Sequence, residues 1–255
     1  MYPRHIRHVH CADNLAELRD NAMIGLGTII NVATVVAGSA VGLLIGKRIP
    51  EAMRETVVQV VGLVTIAIGV KDAIGTHNMV FPLVGMVIGA IIGELLRVED
   101  RLEKIGHVLK RRFAKADESG EEHGFVRGFV TASLLYCVGP LTILGAIQDA
   151  SGQTPQLYII KGSLDGFISV IFAAIYGVGV MFSAVSVFIV QGTLTALGTS
   201  IDSLLDDRMR LELFSAGGLA VIAIGINLLE IKKIRLGSLL PGLVVTPILV
   251  AIFAR

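Results

Sequence analysis

The sequence of 255 residues contains no Trp, only two Cys and few charged side chains, which make up 17% of the chain. A soluble domain carries about 25% charged residues. This scarcity of charge excludes a soluble enzyme and a nucleic-acid-binding protein, so nucleic acid is not among the expected partners. Cys11 lies in a polar segment and Cys137 in an apolar one, and two such residues do not form a disulfide framework. A secreted disulfide-rich scaffold is therefore excluded as well.

Long uncharged runs dominate the chain instead, at 24–46, 128–148 and 166–201. A helix of about 20 apolar residues crosses the hydrocarbon core of a bilayer. The run 166–201 is too long for one span, and the two glycines of Tyr176-Gly-Val-Gly179 mark a break within it. We therefore predict an all-α polytopic membrane helix bundle of about eight helices in the lipid bilayer. The predicted helices one to eight are 24–46, 55–74, 77–96, 125–148, 159–177, 181–200, 212–230 and 236–254.

The basic residues indicate the orientation of these helices. Eight Lys and Arg residues lie between Arg97 and Arg127, after the third predicted helix. Because basic loops stay in the cytoplasm, this segment, 97–124, is predicted to be cytoplasmic. With alternating spans, both ends of the membrane domain, including the C-terminus, then face outward.

The cytoplasmic segment also has a helical pattern of its own. Within 97–115 apolar residues recur every three or four positions and charges fill the other faces. This pattern predicts an amphipathic helix in the cytoplasmic headgroup region, or a continuation of the third helix into water. At the other end of the sequence, residues 1–22 are expected to be either a disordered tail or the product of a misassigned translation start.

Two parts of the sequence resemble each other. Gly62–Gly69 and Gly218–Gly225 are identical at six of eight positions. We interpret helices one to three and six to eight as inverted three-helix repeats, because an odd number of spans separates the copies. Inverted repeats are typical of secondary transporters, whose sites lie at mid-membrane beside short or interrupted helices. Helices two and seven are interpreted as such short helices.

This interpretation divides the chain into four units after the tail. They are the first repeat at 23–96, the cytoplasmic segment at 97–124, the central helix pair at 125–179 and the second, inverted repeat at 180–255.

Polar residues inside the spans are the candidate binding residues. A charge at the bilayer centre costs at least about 2.5–3.5 kcal/mol, so such residues face a cavity or each other. The densest set is Gln148 and Asp149 near the end of helix four and Lys161 and Asp165 near the start of helix five. Lys161 and Asp165 share one helix face. They form either an interfacial salt bridge that holds the hairpin, or, with Asp149, a carboxylate site for a proton or cation. Further candidates are Asn31, Gln59, Gln191 and Asn227.

Glycine and proline add two more features. Gly139 and Pro140 interrupt helix four, and the break is expected to free carbonyl groups for a ligand. Glycines recur at every fourth position in helices one and three, which permits close helix contact within the monomer or in a homodimer. These glycines are Gly38, Gly42 and Gly46, and Gly85, Gly89 and Gly93.

Four segments carry a family resemblance: Gly46–Pro50 (GKRIP), Cys137–Asp149 (CVGPLTILGAIQD), Lys161–Phe167 (KGSLDGF) and Gly225–Arg235 (GINLLEIKKIR). With these motifs the chain, over about residues 23–254, resembles the YdfK/YqgA family of uncharacterised bacterial membrane proteins. The resemblance implies an integral inner-membrane protein. It brings no catalytic residue.

The sequence thus favours a secondary transporter of a small solute or ion, with a non-transporting scaffold or regulatory protein as the alternative. Nucleophile, phosphate-binding and metal-binding motifs are absent, so we expect no enzyme, cofactor or metal. The placement of the polar side chains separates the two hypotheses. Convergence of Asn31, Asp149, Asp165 and Asn227 on one cavity favours transport, and scatter to helix interfaces favours a scaffold.

Overall fold

A computed structural model describes residues 24–46, 50–113 and 122–254, and these residues form helices and turns without any strand. The first six helices are α1 (Leu26–Gly46), α2 (Glu51–Ala73), α3 (Val80–Leu95), α4 (Val98–Phe113), α5 (Glu122–Val138) and α6 (Pro140–Ala150). The others are α7 (Gln156–Tyr176), α8 (Gly179–Ala196), α9 (Gly198–Leu204), α10 (Asp207–Leu228) and α11 (Leu236–Phe253). The all-α prediction is confirmed. The predicted N-terminal tail, 1–22, lies outside the described residues.

Six helices are long and apolar enough to cross a membrane: α1, α2, α7, α8, α10 and α11. The count rises to eight if the bent pairs α3–α4 and α5–α6 each form one span. Large apolar side chains such as Leu44, Leu63 and Leu83 are more than half exposed on the outside of the bundle. Lipid-facing helices have this surface. The protein is therefore a multi-pass membrane protein.

The predicted helix 125–148 is two helices. α5 ends at Val138 and α6 begins at Pro140, and the two are bent by 61°. Pro140 has no backbone N–H to continue the hydrogen bonds of α5, and Gly139 is extended with ψ 153°, so the helix breaks. The long uncharged run divides where the glycines predict. α7 ends at Tyr176, and Gly177 has φ +78°, a conformation that favours glycine.

The interpretation of helices two and seven as short is wrong. α2 has 23 residues and α10 has 22, and both are continuous. Residues 55 and 212, the predicted starts of these helices, lie inside them. A charged side chain does not mark where a helix begins, because it is accommodated on the exposed helix surface, as Glu55 is, or by hydrogen bonds to another turn, as Glu212 is. In the part of the chain that the structure describes, the bent helix pairs are α3–α4 and α5–α6.

Residues 98–113 of the segment predicted to be cytoplasmic form a separate helix, α4. It is bent by 53° from α3, with Arg97 at φ 49° between them, so it does not continue α3. Gly106 of α4 packs close to Phe129 of α5. The Glu99 carboxylate accepts a hydrogen bond of 2.5 Å from the backbone N–H of Gly237, at the start of α11. α4 is therefore docked on the bundle along one face.

Each of the first three helices packs mainly on one helix of the second half. α1 runs parallel to α7, and its glycines Gly38, Gly42 and Gly46 lie against the backbone of Gly166, Val170 and Ala174. α3 runs antiparallel to α11, with Gly85, Gly89 and Gly93 against Thr246, Gly242 and Ser238. A Cβ atom on Gly38 would lie 2.1 Å from the Gly166 carbonyl oxygen, so this approach requires glycine. Both glycine stripes are therefore used inside the monomer.

The two similar segments also meet each other. In the antiparallel pair α2–α10, Gly62 lies against Gly225, and Gly69 against Gly218. A Cβ atom on Gly218 would lie 2.6 Å from the Gly69 carbonyl oxygen. The shared glycines thus create a close contact between the segments that carry them. The inverted relation of the complete repeats stays a prediction.

Candidate functional site

A charged pair is buried halfway along α7. Lys161 Nζ and Asp165 Oδ2 form a salt bridge, and the two side chains are only 5% and 9% exposed. Asn31 Nδ2 of α1 donates a second hydrogen bond of 3.0 Å to the same carboxylate oxygen. Since α7 begins at Gln156, three residues before the predicted start, Asp165 is the tenth of its 21 residues. The pair thus lies deeper in the bundle than the sequence predicted.

The break between α5 and α6 lies beside this pair. Lys161 Nζ is 6.0 Å from the centre of the Tyr136 ring, which is in range for attraction between a cation and an aromatic face. The Tyr136 hydroxyl is 2.8 Å from Ser169 Oγ of α7. One carbonyl at the break has a side-chain partner, because Thr142 Oγ1 donates to the Tyr136 carbonyl at 3.1 Å. In the first turn of α6, the Tyr158 hydroxyl donates to the Thr142 carbonyl at 2.8 Å.

Asp149 is fully buried but has a different role from Asp165. Its carboxylate accepts hydrogen bonds from the backbone N–H groups of Gly27 at 3.0 Å and Thr28 at 3.2 Å, in the first turn of α1. The hydroxyls of Thr28 and Thr195 donate to it at 3.2 and 3.4 Å. A carboxylate at a helix N-terminus satisfies unpaired donors and complements the helix dipole. Asp149 therefore caps α1 from the end of α6.

The two carboxylates are linked through α1 and not by direct contact. Thr28 bonds to Asp149, and Asn31, one turn later on the same helix face, bonds to Asp165. Convergence of four residues on one cavity was expected to favour transport, but Asn31, Asp149 and Asp165 meet at helix contacts along the first half of α1 and do not line the cavity described below. Asn227 does not join them. Its side chain donates to the Ile234 carbonyl at 2.8 Å and accepts the Ile234 N–H at 2.7 Å, which closes the α10–α11 turn.

Gln148 and Gln59 also lie apart from the charged pair. Gln148 Oε1 accepts the N–H of Leu157 at 2.9 Å and so caps the start of α7. Gln59 is exposed on the outer surface of α2. Gln148 and Asn227 thus stabilise helix ends and turns, and Gln59 lies on the surface. The sequence alone shows only that these polar residues lie within apolar segments.

Gln191 differs from the other polar candidates because its amide lacks partners. Gln191 and Asn31 are fully buried. Among the residues that the structure describes, Gln191 Nε2, Gln191 Oε1 and Asn31 Oδ1 have no hydrogen-bond partner. A buried polar group without a partner costs about 1–3 kcal/mol. Such groups are rare in native proteins and require an explanation.

The two amides lie at the same level of the bundle. α8 is antiparallel to α1, and Thr28 Oγ1 lies 3.4 Å from Thr195 Oγ1. Gln191 is one turn before Thr195 on α8, and Asn31 is one turn after Thr28 on α1. Both steps lead in the same direction through the bundle. We define Asn31, Lys161, Asp165 and Gln191 as the central cluster.

The hydroxyls of Thr28 and Thr195 and the carboxylate of Glu212 are buried polar groups that were not among the residues predicted from the sequence. Thr28 and Thr195 share helix faces with Asn31 and Gln191, a spacing that would have identified them. Glu212 is only 2% exposed and accepts the N–H groups of His77 at 3.0 Å and Asn78 at 3.1 Å. It holds the turn before α3 from α10, and for this reason α3 begins at Val80 and not at 77.

A cavity of about 800 Å³ lies between α4, α5 and the adjoining ends of α7, α10 and α11. Its lining includes Glu99, Glu103, Arg127, Tyr176, Glu230 and Lys233. Arg127 pairs with Glu230 at 2.5 Å and lies 5.5 Å from the centre of the Tyr176 ring. Tyr176 is eleven residues from Asp165 on α7, or about 16 Å along the helix. The cavity therefore lies at the end of the bundle that carries α4, and no residue of the central cluster lines it.

Comparison with known proteins gives relatives but no structural neighbour. The chain is 29% identical over 229 residues to uncharacterized membrane protein YdfK of Bacillus subtilis (strain 168), covering 88% of this chain and 95% of that protein. It is 27% identical over 218 residues to uncharacterized protein YqgA of Escherichia coli (strain K12), covering 86% and 93%. No solved structure matches. Residues 26–251 match the family described as protein of unknown function (DUF554), and the chain belongs to this family.

Proposed function

We propose that the protein is a secondary transporter that moves a small solute or ion across the bacterial inner membrane by alternating access. One observation carries this proposal. The central cluster combines a charged pair with unpartnered amide groups, all buried among the helices of a membrane bundle. Charges at this depth are costly, and ionisable residues inside membranes mark substrate or ion pathways.

Two further features support the proposal. The broken span α5–α6 lies beside the cluster, as interrupted helices do in transporters. A cavity lies at the α4 end of the bundle beside Tyr176, about 16 Å along α7 from Asp165. In the orientation that the basic residues predict, segment 97–124 is cytoplasmic, so this cavity opens to the cytoplasm and the C-terminus lies outside. The predicted inverted repeats supply the symmetry that alternating access needs.

The alternative is a non-transporting scaffold or regulatory protein, which would bind partners through its surface. Fewer surfaces are free for such partners than the sequence suggested. Both glycine stripes are covered inside the monomer, by α7 and α11. They therefore no longer argue for a homodimer. One face of α4 is docked on the bundle through Glu99 and Gly106. The proposal includes no catalytic step and no cofactor.

Untargeted metabolite profiling tests the proposal. A deletion strain is complemented with the wild-type chain, with Asp165→Asn or with Gln191→Leu, and the uptake of compounds from a defined mixture is compared by mass spectrometry. We expect the wild-type chain to change the uptake of at least one small solute or ion. Both variants lose that change when uptake is expressed per molecule of protein in the membrane, with the amount of each variant measured by immunoblot.

Asp202→Asn is the matched control, because Asp202 forms a half-exposed ion pair with Arg210 at 2.6 Å and is not part of the central cluster. It retains uptake. If wild-type and deletion strains take up every compound equally, or if Asp165→Asn and Gln191→Leu both retain the uptake, transport through this cluster is wrong.

A further inference from the structure

We infer that the central cluster binds one monovalent alkali cation, with oxygens of Asn31, Asp165 and Gln191 as its ligands, and that Lys161 is a built-in competitor for the same carboxylate. This inference rests on the proposed function, since it names the ion that the site takes. Binding is nevertheless measured separately from transport.

The chemistry of the available atoms points to an alkali cation. Asn31 Oδ1 and Gln191 Oε1 are fully buried and, within the described residues, have no hydrogen-bond partner. Asp165 lies next to Asn31, because its carboxylate accepts a hydrogen bond from the Asn31 side-chain amide. Carboxylate and carbonyl oxygens select hard cations over soft ones. No group of three His, Cys, Asp or Glu side chains suited to a metal ion occurs in the described part of the chain. A transition-metal site is therefore not favoured.

The charge of the central cluster argues for a cation of low charge. Asp165 is its one carboxylate and Lys161 its one ammonium, so their charges sum to zero before a cation binds. A monovalent cation adds one positive charge and a divalent cation adds two, and a net charge in a medium of low dielectric constant is costly. The site therefore takes an ion such as Na⁺ in preference to Ca²⁺ or Mg²⁺.

Lys161 is placed to compete with such an ion. Its Nζ atom contacts the carboxylate oxygen that also accepts the Asn31 amide. When the cation binds Asp165, the ammonium must release this oxygen, and the Tyr136 ring 6.0 Å away offers it a partner. Lys161 thus sets the affinity of the cation, because binding exchanges one positive group on Asp165 for another.

Thermal unfolding of the purified full-length chain in detergent tests the inference. The midpoint is measured in NaCl, KCl and N-methyl-D-glucamine chloride at equal ionic strength, over a series of salt concentrations. We expect a saturable rise with NaCl or KCl over N-methyl-D-glucamine, because an ion that binds only the native state stabilises it. Lys161→Gln lowers the half-saturating cation concentration by about tenfold or more, since it removes a charge in direct contact with the ligand carboxylate.

Gln191→Leu separates binding from folding. The amide has no protein partner to lose, so the variant unfolds at or above the wild-type midpoint in N-methyl-D-glucamine but loses the cation response. Gln59→Leu, an exposed glutamine on α2, is the matched control and keeps the response.

Equal midpoints in the three salts overturn the inference, as does a Gln191→Leu variant that keeps the cation response. A midpoint that changes with pH but not with the cation also overturns it and makes the proton the bound ion. Failure here with a positive uptake profile leaves the transport proposal intact. Cation binding without any difference in uptake refutes transport and retains the binding site.

Discussion

Removing both charges of the Lys161–Asp165 pair distinguishes a functional pair from a structural one. Asp165→Asn alone leaves Lys161 buried without its anion, and loss of one partner of a buried pair costs about 3–5 kcal/mol. The double variant Lys161→Met with Asp165→Asn removes both charges and keeps an oxygen for Asn31 Nδ2. Replacing a buried pair by uncharged groups is neutral or stabilising by about 1–4 kcal/mol.

These energies convert into measurable shifts of the unfolding midpoint. For a chain of this length 1 kcal/mol corresponds to about 2–4 °C. Asp165→Asn therefore lowers the midpoint by about 6–20 °C, whereas the double variant unfolds at or above the wild-type temperature. Uptake is lost in both variants, because neither retains the carboxylate.

The assay combines thermal unfolding in detergent with the uptake comparison described above. A double variant as unstable as Asp165→Asn would show that the salt bridge holds the α7 region together. The interfacial salt-bridge interpretation would then be correct. A double variant that is stable and still transports would remove the pair from the mechanism.

Two further predictions concern the positions that hold the bundle around the central cluster. Asp149→Ala leaves the Gly27 and Thr28 N–H groups without their acceptor and lowers the free energy of unfolding by about 2–4 kcal/mol. The chain that remains folded in the membrane retains uptake per molecule, and an uptake loss as complete as that of Asp165→Asn would refute this separation of roles. Gly38→Ala places a Cβ atom 2.1 Å from the Gly166 carbonyl oxygen and destabilises by about 1–3 kcal/mol in thermal unfolding. Gly192→Ala, where a Cβ atom meets nothing within 4 Å, is the control and is neutral or stabilising; equal midpoints for the two variants would contradict the close contact.

Hydropathy and glycine spacing predicted most of the fold, because they report directly on the lipid solvent and on close backbone contact. The break at Tyr176-Gly-Val-Gly179 was found from two glycines alone. The ends of α2 and α10 were not predicted correctly, because Lys71 and Glu212 are charged residues inside helices. Lys71 is exposed on the outside of the bundle, whereas Glu212 bonds to the turn before α3, and the sequence does not distinguish these environments.

The candidate site was predicted in part for a similar reason. The spacing of Lys161 and Asp165 on one helix face is local, so their pairing follows from helix geometry. The role of Asp149 depends on α1, 121 residues away at Thr28, and no local pattern contains that contact. The same holds for Gln191, whose lack of partners depends on what the neighbouring helices place around it.

Three buried carboxylates accept hydrogen bonds from backbone N–H groups at the starts of helices that are distant in sequence. This arrangement has a consequence for how the chain is inserted into the membrane. Asp149 bonds to Gly27 across 122 residues, and Glu212 bonds to His77 across 135. Glu99 in turn precedes its partner Gly237 by 138 residues. At about 5–20 residues per second, the ribosome needs roughly 6–25 s to make the segment between such partners. During that interval the first turn of α1 has no carboxylate, and the insertion machinery or lipid headgroups must shelter it until the second half of the protein emerges.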